Sequence, residues 1–243
     1  METIEKVESK EGQWPWLDLR LTQKAINYLW DIINNKPTVI KGDLAGNISK
    51  SMDIQDKDNW FYENVLKRCA ETIYFKDWEN YYNVYIAKME PHPNFYLKSL
   101  WVNYQKQNEF NPPHSHSGGV GFSFVVFMKI PTHWKEQHAL PFSANSNTPC
   151  ASDLQFIMGQ GGGGIGTIEI SLSPENEGRM LFFPAWLAHQ VFPFYETEEE
   201  RITISGNVIK QENERMQSSL NEREMELEKM EKEVRSFKEM LKW

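Results

Sequence analysis

The hydrophobic positions of this 243-residue chain repeat with two periods, and the change of period divides it. In LTQKAINYLWDIINNKP, Ile26, Leu29, Trp30 and Ile33 recur at helical spacing; Thr22 stands as N-cap and Pro37 ends the run. The spacing predicts a second helix from Asp58 to about Phe75, with Trp60, Phe61, Val65, Leu66, Cys69 and Ile73 on its buried side. Residues 1–87 therefore read as an N-terminal helical cover. From about residue 88 the pattern shortens to β-type runs bounded by Gly, Pro and Asn. Residues 95–104, 121–130, 153–158, 166–172, 178–186, 189–194 and 201–209 are seven candidate strands. No helical stretch separates them, which favours a sandwich or closed antiparallel barrel over βαβ units. The polar, Ser- and Asn-rich stretch 131–152 reads as a long loop. QGGGGIG at 160–166 lacks the GK[ST] of a phosphate-binding loop and reads as a flexible connection able to act as a lid.

The last segment, 211–243, repeats Met216, Leu220, Leu227, Met230, Val234, Phe237 and Leu241 in steps of four, three and seven. About three heptads fit a coiled coil that would join copies of the chain, and one amphipathic helix folded back on the domain fits equally. The division expected is thus 1–87, 88–210 and 211–243.

Composition narrows the partners. A formal net charge of −8 disfavours nucleic acid, whose phosphates call for a basic surface. The two cysteines, Cys69 and Cys150, show no zinc spacing and no disulfide framework. The charged start METIEKVESKEGQ is not a signal peptide, and no apolar run is long enough to span a membrane. A soluble, cytoplasmic protein is the expectation.

Chemistry concentrates at the histidines. In NPPHSHSGG, residues 111–119, His114 and His116 would share one face of an extended strand, as polar turn residues or as metal ligands. His189, among the apolar residues of FFPAWLAHQVFPF, could complete a three-imidazole site with open positions on the metal, or be a satisfied core histidine. His92, His133 and His138 read as surface residues. Arg201 opens RITISGN, in which Thr203, Ser205 and Asn207 share its face. An inward arginine there would need an anion such as a ligand carboxylate, and a salt bridge to the preceding glutamates would also satisfy it. Asn103 lies on the same strand face as Trp101, within reach of the same interior.

Four ordered blocks, WVNYQKQNEFNPPHSHSGG, FSFVVFMKIP, GRMLFFPAWLAHQVFPF and ERITISGN, resemble the 2-oxoglutarate- and Fe(II)-dependent oxygenases. With DLAGNISKSMDIQDKDNWFYENVL they are most similar to the group found in tailed bacteriophages of marine bacteria, over about residues 15–210. The resemblance implies a mainly β fold, a double-stranded β-helix (the jelly-roll, cupin-like core) with N-terminal helices and a C-terminal helix. It implies Fe(II) as cofactor with 2-oxoglutarate and O2 as cosubstrates, succinate and CO2 as products, and an unassigned substrate. By position, the resemblance makes His114 and His189 iron ligands and has Arg201 hold the far carboxylate of 2-oxoglutarate, helped by Thr203 or Ser205; Asn103 joins the cosubstrate contacts on its strand face alone. The family pattern has Asp or Glu where this chain has His116. Either His116 ligates in its place, or His116 is the first ligand and Gly118 leaves the position open. Two other classes remain: a three-histidine cupin-type metalloenzyme that does not use 2-oxoglutarate, and a non-catalytic phage structural or assembly protein with an oligomerising tail.

Overall fold

The computed structural model describes residues 3–8, 15–35, 38–39, 46–73, 94–116, 121–159 and 162–211. His92, Gly118 and residues 212–243 of the expected coiled coil lie outside these. The described residues up to Lys210 form one compact unit.

Twelve strands build two antiparallel sheets among the described residues. The larger sheet runs in the order β1 (Ile4–Glu8), β2 (Leu17–Leu21), β10 (Arg179–Pro184), β7 (Gly121–Lys129), β12 (Arg201–Lys210), β5 (Phe95–Gln105), β4 (Lys50–Asp53) and β3 (Thr38–Val39). The smaller runs β6 (Asn111–His114), β11 (Ala188–Val191), β8 (Leu154–Gly159) and β9 (Ile165–Ile170). This is the double-stranded β-helix, with each of the seven sequence-read strands in place to within a few residues.

The pleat sorts the side chains of the large sheet. Val125, Phe127, Leu181 and Phe183 face the small sheet and pack on Leu154, Phe156 and Ile170. Phe122, Phe124, Val126, Phe182, Ile204 and Val208 point the other way, onto Leu29 and Ile33 of α1 (Gln23–Asn34) and onto Phe61, Val65 and Leu66. Those last three belong to α2, a helical run over residues 60–73 that includes a π-helical turn at Tyr62–Leu66. Thr22 takes the N-cap position of α1, yet its hydroxyl makes no capping bond. Helices thus cover one face of the large sheet, and the other face closes over the cavity described below.

The N-terminal region is not helical throughout. LDLRL alternates, with Leu17, Leu19 and Leu21 buried, so β2 extends the sheet beside β10 before the chain turns into α1. β4 extends the opposite side by pairing with β5. The stretch 131–152 also carries structure: α3 (Trp134–His138) and α4 (Pro141–Ala144). Within QGGGGIG, Gly162 and Gly163 both sit at φ +85°, a backbone region that L side chains rarely adopt, and Ile165 and Gly166 already belong to β9. No helix among the described residues is long and apolar enough to cross a membrane.

Phe124 joins the two layers: it is 1% exposed and its ring meets Phe61 and Phe182. Phe124→Ala is expected to cost about 3–5 kcal/mol, read as a lower denaturant midpoint with the slope retained.

Candidate functional site

A cavity of about 800 Å³ opens between the two sheets. Its small-sheet wall carries the three histidines. β6 and β11 pair so that His114 stands opposite His189, and the backbone N–H of His116 donates to the Ala185 carbonyl at 2.9 Å. The ring centroids lie 4.3 Å (His114–His189), 5.3 Å (His114–His116) and 5.5 Å (His116–His189) apart. One nitrogen from each ring can be chosen so that all three lie within 4.8 Å of one another. Among the described residues no carboxylate or thiol joins the cluster.

Hydrogen bonds set two of the tautomers. His114 Nδ1 is 2.8 Å from the Pro112 carbonyl, and His189 Nδ1 is 2.9 Å from the Leu187 carbonyl. A carbonyl only accepts, so each Nδ1 carries a proton and Nε2 is the nitrogen free of a backbone partner, the one that could face a metal. Burial, helped by His114, lowers His116 to about 4 and His189 to about 3. Both are neutral at pH 7, the form in which imidazole ligates. The donor set therefore fits a divalent transition metal, Fe(II) included.

Arg201, at the start of β12, lines the same cavity and is only 1% exposed. Its Nη2 donates to the Ser152 carbonyl at 2.9 Å and to Ser152 Oγ at 2.5 Å; Nη1 reaches Gln105 Oε1 at 3.5 Å. The guanidinium lies 4.9 Å from the Phe194 ring centroid. It makes no ion pair among the described residues, so the salt bridge to neighbouring glutamates is absent. Its Nε is buried without a partner. A buried donor left this way is costly, and a ligand carboxylate is the acceptor that fits it. Burial lowers Arg201 to about 10, opposed by Asp153, so it stays charged at neutral pH. Thr203, Ser205 and Asn103 line the same cavity, with Thr203 opposite Asn103 across the β12–β5 ladder; Asn103 accepts from Ser51 Oγ at 2.7 Å.

Three residues around Arg201 escaped the sequence reading. Ser152 adopts φ 76°, a left-handed conformation that turns its carbonyl and hydroxyl onto one guanidinium nitrogen. Asp153 is fully buried and within 2.9 Å of His138 Nε2, so His138 is not the surface residue its polar stretch suggested. Burial pushes the Asp153 carboxyl up to about 6, against the pull of His138, Ser171 and Arg201. The one available signal was SD at 152–153 beside an apolar strand, too common to single out. His133 instead caps α3, its Nδ1 accepting from the Lys135 N–H.

With this geometry in place, comparison with known proteins defines the class. Residues 99–207 match the family model described as "Putative 2OG-Fe(II) oxygenase", a span that contains all seven residues named above as ligands or cosubstrate contacts. That match, over 109 of the 243 residues, supports the 2-oxoglutarate/Fe(II) oxygenase superfamily. It is a 2-oxoglutarate-dependent dioxygenase, with Fe(II) as cofactor and 2-oxoglutarate and O2 as cosubstrates. In fold it is similar to the non-heme alpha-ketoglutarate-dependent carbocyclase SnoK of nogalamycin biosynthesis, at 6% identity and TM-score 0.51, over 82% of this chain and 83% of that one. A Pseudomonas putida prolyl-4-hydroxylase aligns at 11% identity and TM-score 0.47, over 81% and 93% of the two chains. The viral collagen prolyl hydroxylase of Paramecium Bursaria Chlorella virus-1 aligns at 10% and 0.44, over 82% and 98%. No curated protein sequence matches.

Two outcomes are expected. Because His116 and His189 titrate below the ordinary histidine value, the unfolded chain binds more protons as pH falls below about 6.5. Their contribution to stability is present above that pH and is lost as pH falls through about 4 and then about 3, by up to about 1.4 kcal/mol per pH unit for each group. Urea unfolding of metal-free protein between pH 7 and 4 measures this, and His189→Gln flattens the slope. Separately, Ser152→Ala removes a hydrogen bond to a charged group and should cost about 1.5–3 kcal/mol while weakening 2-oxoglutarate binding, read by calorimetry.

Proposed function

We propose that this protein is a hydroxylase in which His114, His116 and His189 hold the iron and Arg201 anchors 2-oxoglutarate. The observation that carries the reading is the shared cavity: three clustered imidazoles on one wall and a buried arginine with an unpartnered Nε on another. His116 takes the place usual for a carboxylate ligand. Bound Fe(II) supplies the redox chemistry that couples decarboxylation of 2-oxoglutarate to oxidation of a substrate C–H bond. Overall, R–H, 2-oxoglutarate and O2 give R–OH, succinate and CO2, with one oxygen atom of O2 in succinate and the other in the product.

The chain's own groups prepare that reaction. The Pro112 and Leu187 carbonyls keep His114 and His189 in the Nδ1–H tautomer, so Nε2 is the donor atom. Arg201, pinned at Nη2 by Ser152, offers Nε to the far carboxylate, and Thr203, Ser205 and Asn103 add hydroxyl and amide contacts along the same sheet face. Leu154, Val191 and Phe183 line the cavity beside the histidines and limit water there. A cupin-type enzyme without 2-oxoglutarate would leave Arg201 Nε with no acceptor, which disfavours it.

The ordered sequence blocks further support a phage-type member of the superfamily, and the heptad pattern of 211–243 supports a tail that joins copies of the chain. A net charge of −8 supports a substrate other than nucleic acid.

Purified protein given Fe(II) and 2-oxoglutarate should release succinate slowly without added substrate, and His189→Ala should abolish the release. Equal succinate from wild type and variant would overturn the reading.

A further inference from the structure

The cavity extends well beyond the part that 2-oxoglutarate can occupy, and the strand register rules its large-sheet wall into rows. Arg201 lies opposite Gln105. The next row inward-facing along the sheet holds Thr203 and Asn103, the one after it Ser205, Trp101 and Asp53, and the last Ser123, Asn207 and Ser99. Successive rows are two residues apart, about 6.5–7 Å. A five-carbon dicarboxylate with C–C bonds of about 1.5 Å spans roughly one such step from Arg201. The last two rows therefore lie past the cosubstrate, and each of their six side chains lines the cavity.

Their chemistry is uniform. Ser123 Oγ donates to Asn207 Oδ1 at 2.8 Å, and Asn207 Nδ2 donates to Ser99 Oγ at 3.0 Å. This fixes the amide so that its second N–H and the Ser99 hydroxyl proton are left for a ligand. Beside them Trp101 stands between Ser205 and Asp53 on the neighbouring strands. Among the described lining residues the charged side chains are Asp53, Lys98 and Arg201. With Arg201 engaged by 2-oxoglutarate, the outer cavity carries one charge of each sign. A polyphosphate has too few cations here. An aliphatic substrate would strip water from hydroxyl and amide groups and leave them unpaired.

We propose that the Asp53–Trp101–Ser205 and Ser99–Asn207–Ser123 rows form the substrate site and that the substrate is a neutral, polyhydroxylated ring of saccharide type. One indole offers a flat apolar surface for the C–H face of such a ring, and the flanking carboxylate, amide and hydroxyls match its hydroxyl edge. The inference rests on the oxygenase reading above, which places 2-oxoglutarate at Arg201.

The test uses the full chain, loaded anaerobically with Fe(II) and saturated with 2-oxoglutarate. Saturation-transfer NMR is recorded for methyl β-glucoside, maltose and N-acetylglucosamine, beside a proline-containing tetrapeptide and a short oligothymidylate. At least one saccharide is expected to bind, with ring C–H protons receiving the strongest transfer. Asn207→Ala and, as a milder change, Ser99→Ala should each weaken that binding at least fivefold in variants whose unfolding temperature shows them folded. Protection of the wild type by 2-oxoglutarate without binding of any saccharide overturns the inference. Saccharide binding untouched by both substitutions, or binding of the peptide or oligonucleotide alone, overturns it as well. If 2-oxoglutarate itself gives no thermal protection, the cosubstrate reading fails and takes this inference with it.

Discussion

A positive charge buried between two β-sheets is the constraint around which this molecule is arranged. Arg201 is 1% exposed, and an unpaired buried guanidinium would be among the most costly groups a core could contain. The chain meets that cost with parts drawn from distant segments: Ser152 at the end of the connection after β7, Gln105 at the end of β5, the Phe194 ring and, at longer range, Asp153. None of these neutralises it by direct ion pairing. The arginine stays charged, with its Nε left without a partner.

The histidine side follows an opposite electrostatic rule. There the cavity wall removes charge, holding His116 and His189 neutral by burial, and two backbone carbonyls dictate which nitrogen faces inward. The histidine wall and the fixed cation thus make the two sides of the cavity electrostatically distinct.

Period and spacing carried much of the fold. The seven runs after residue 88 became strands because each alternates or is bounded by Gly, Pro or Asn, and α1 and α2 bury the faces that helical spacing assigned. β2 was missed because LDLRL abuts α1, and five residues of period two disappear into a longer helical pattern. β6 was missed because Asn-Pro-Pro-His looks like a turn; it is a strand only because β11 pairs with it. The histidine cluster was legible as residue types in order, and Arg201 as an inward position on an alternating strand. Ser152, Asp153 and His138 were not, since their importance comes from a left-handed backbone and from contacts across the sequence that no local pattern records.

The two prolines of β6 have a mechanical consequence. Pro112 and Pro113 have no N–H, so the edge strand of the small sheet cannot be fully laced to β11, and its register with that strand already shifts between His189 and Val191. An edge of this kind resists capture by a foreign strand. It also means that the segment bearing His114 and His116 is fastened to the rest of the sheet by few backbone bonds. Were a metal held by the histidines of both segments, it would add the cross-link between β6 and β11 that the two prolines withhold.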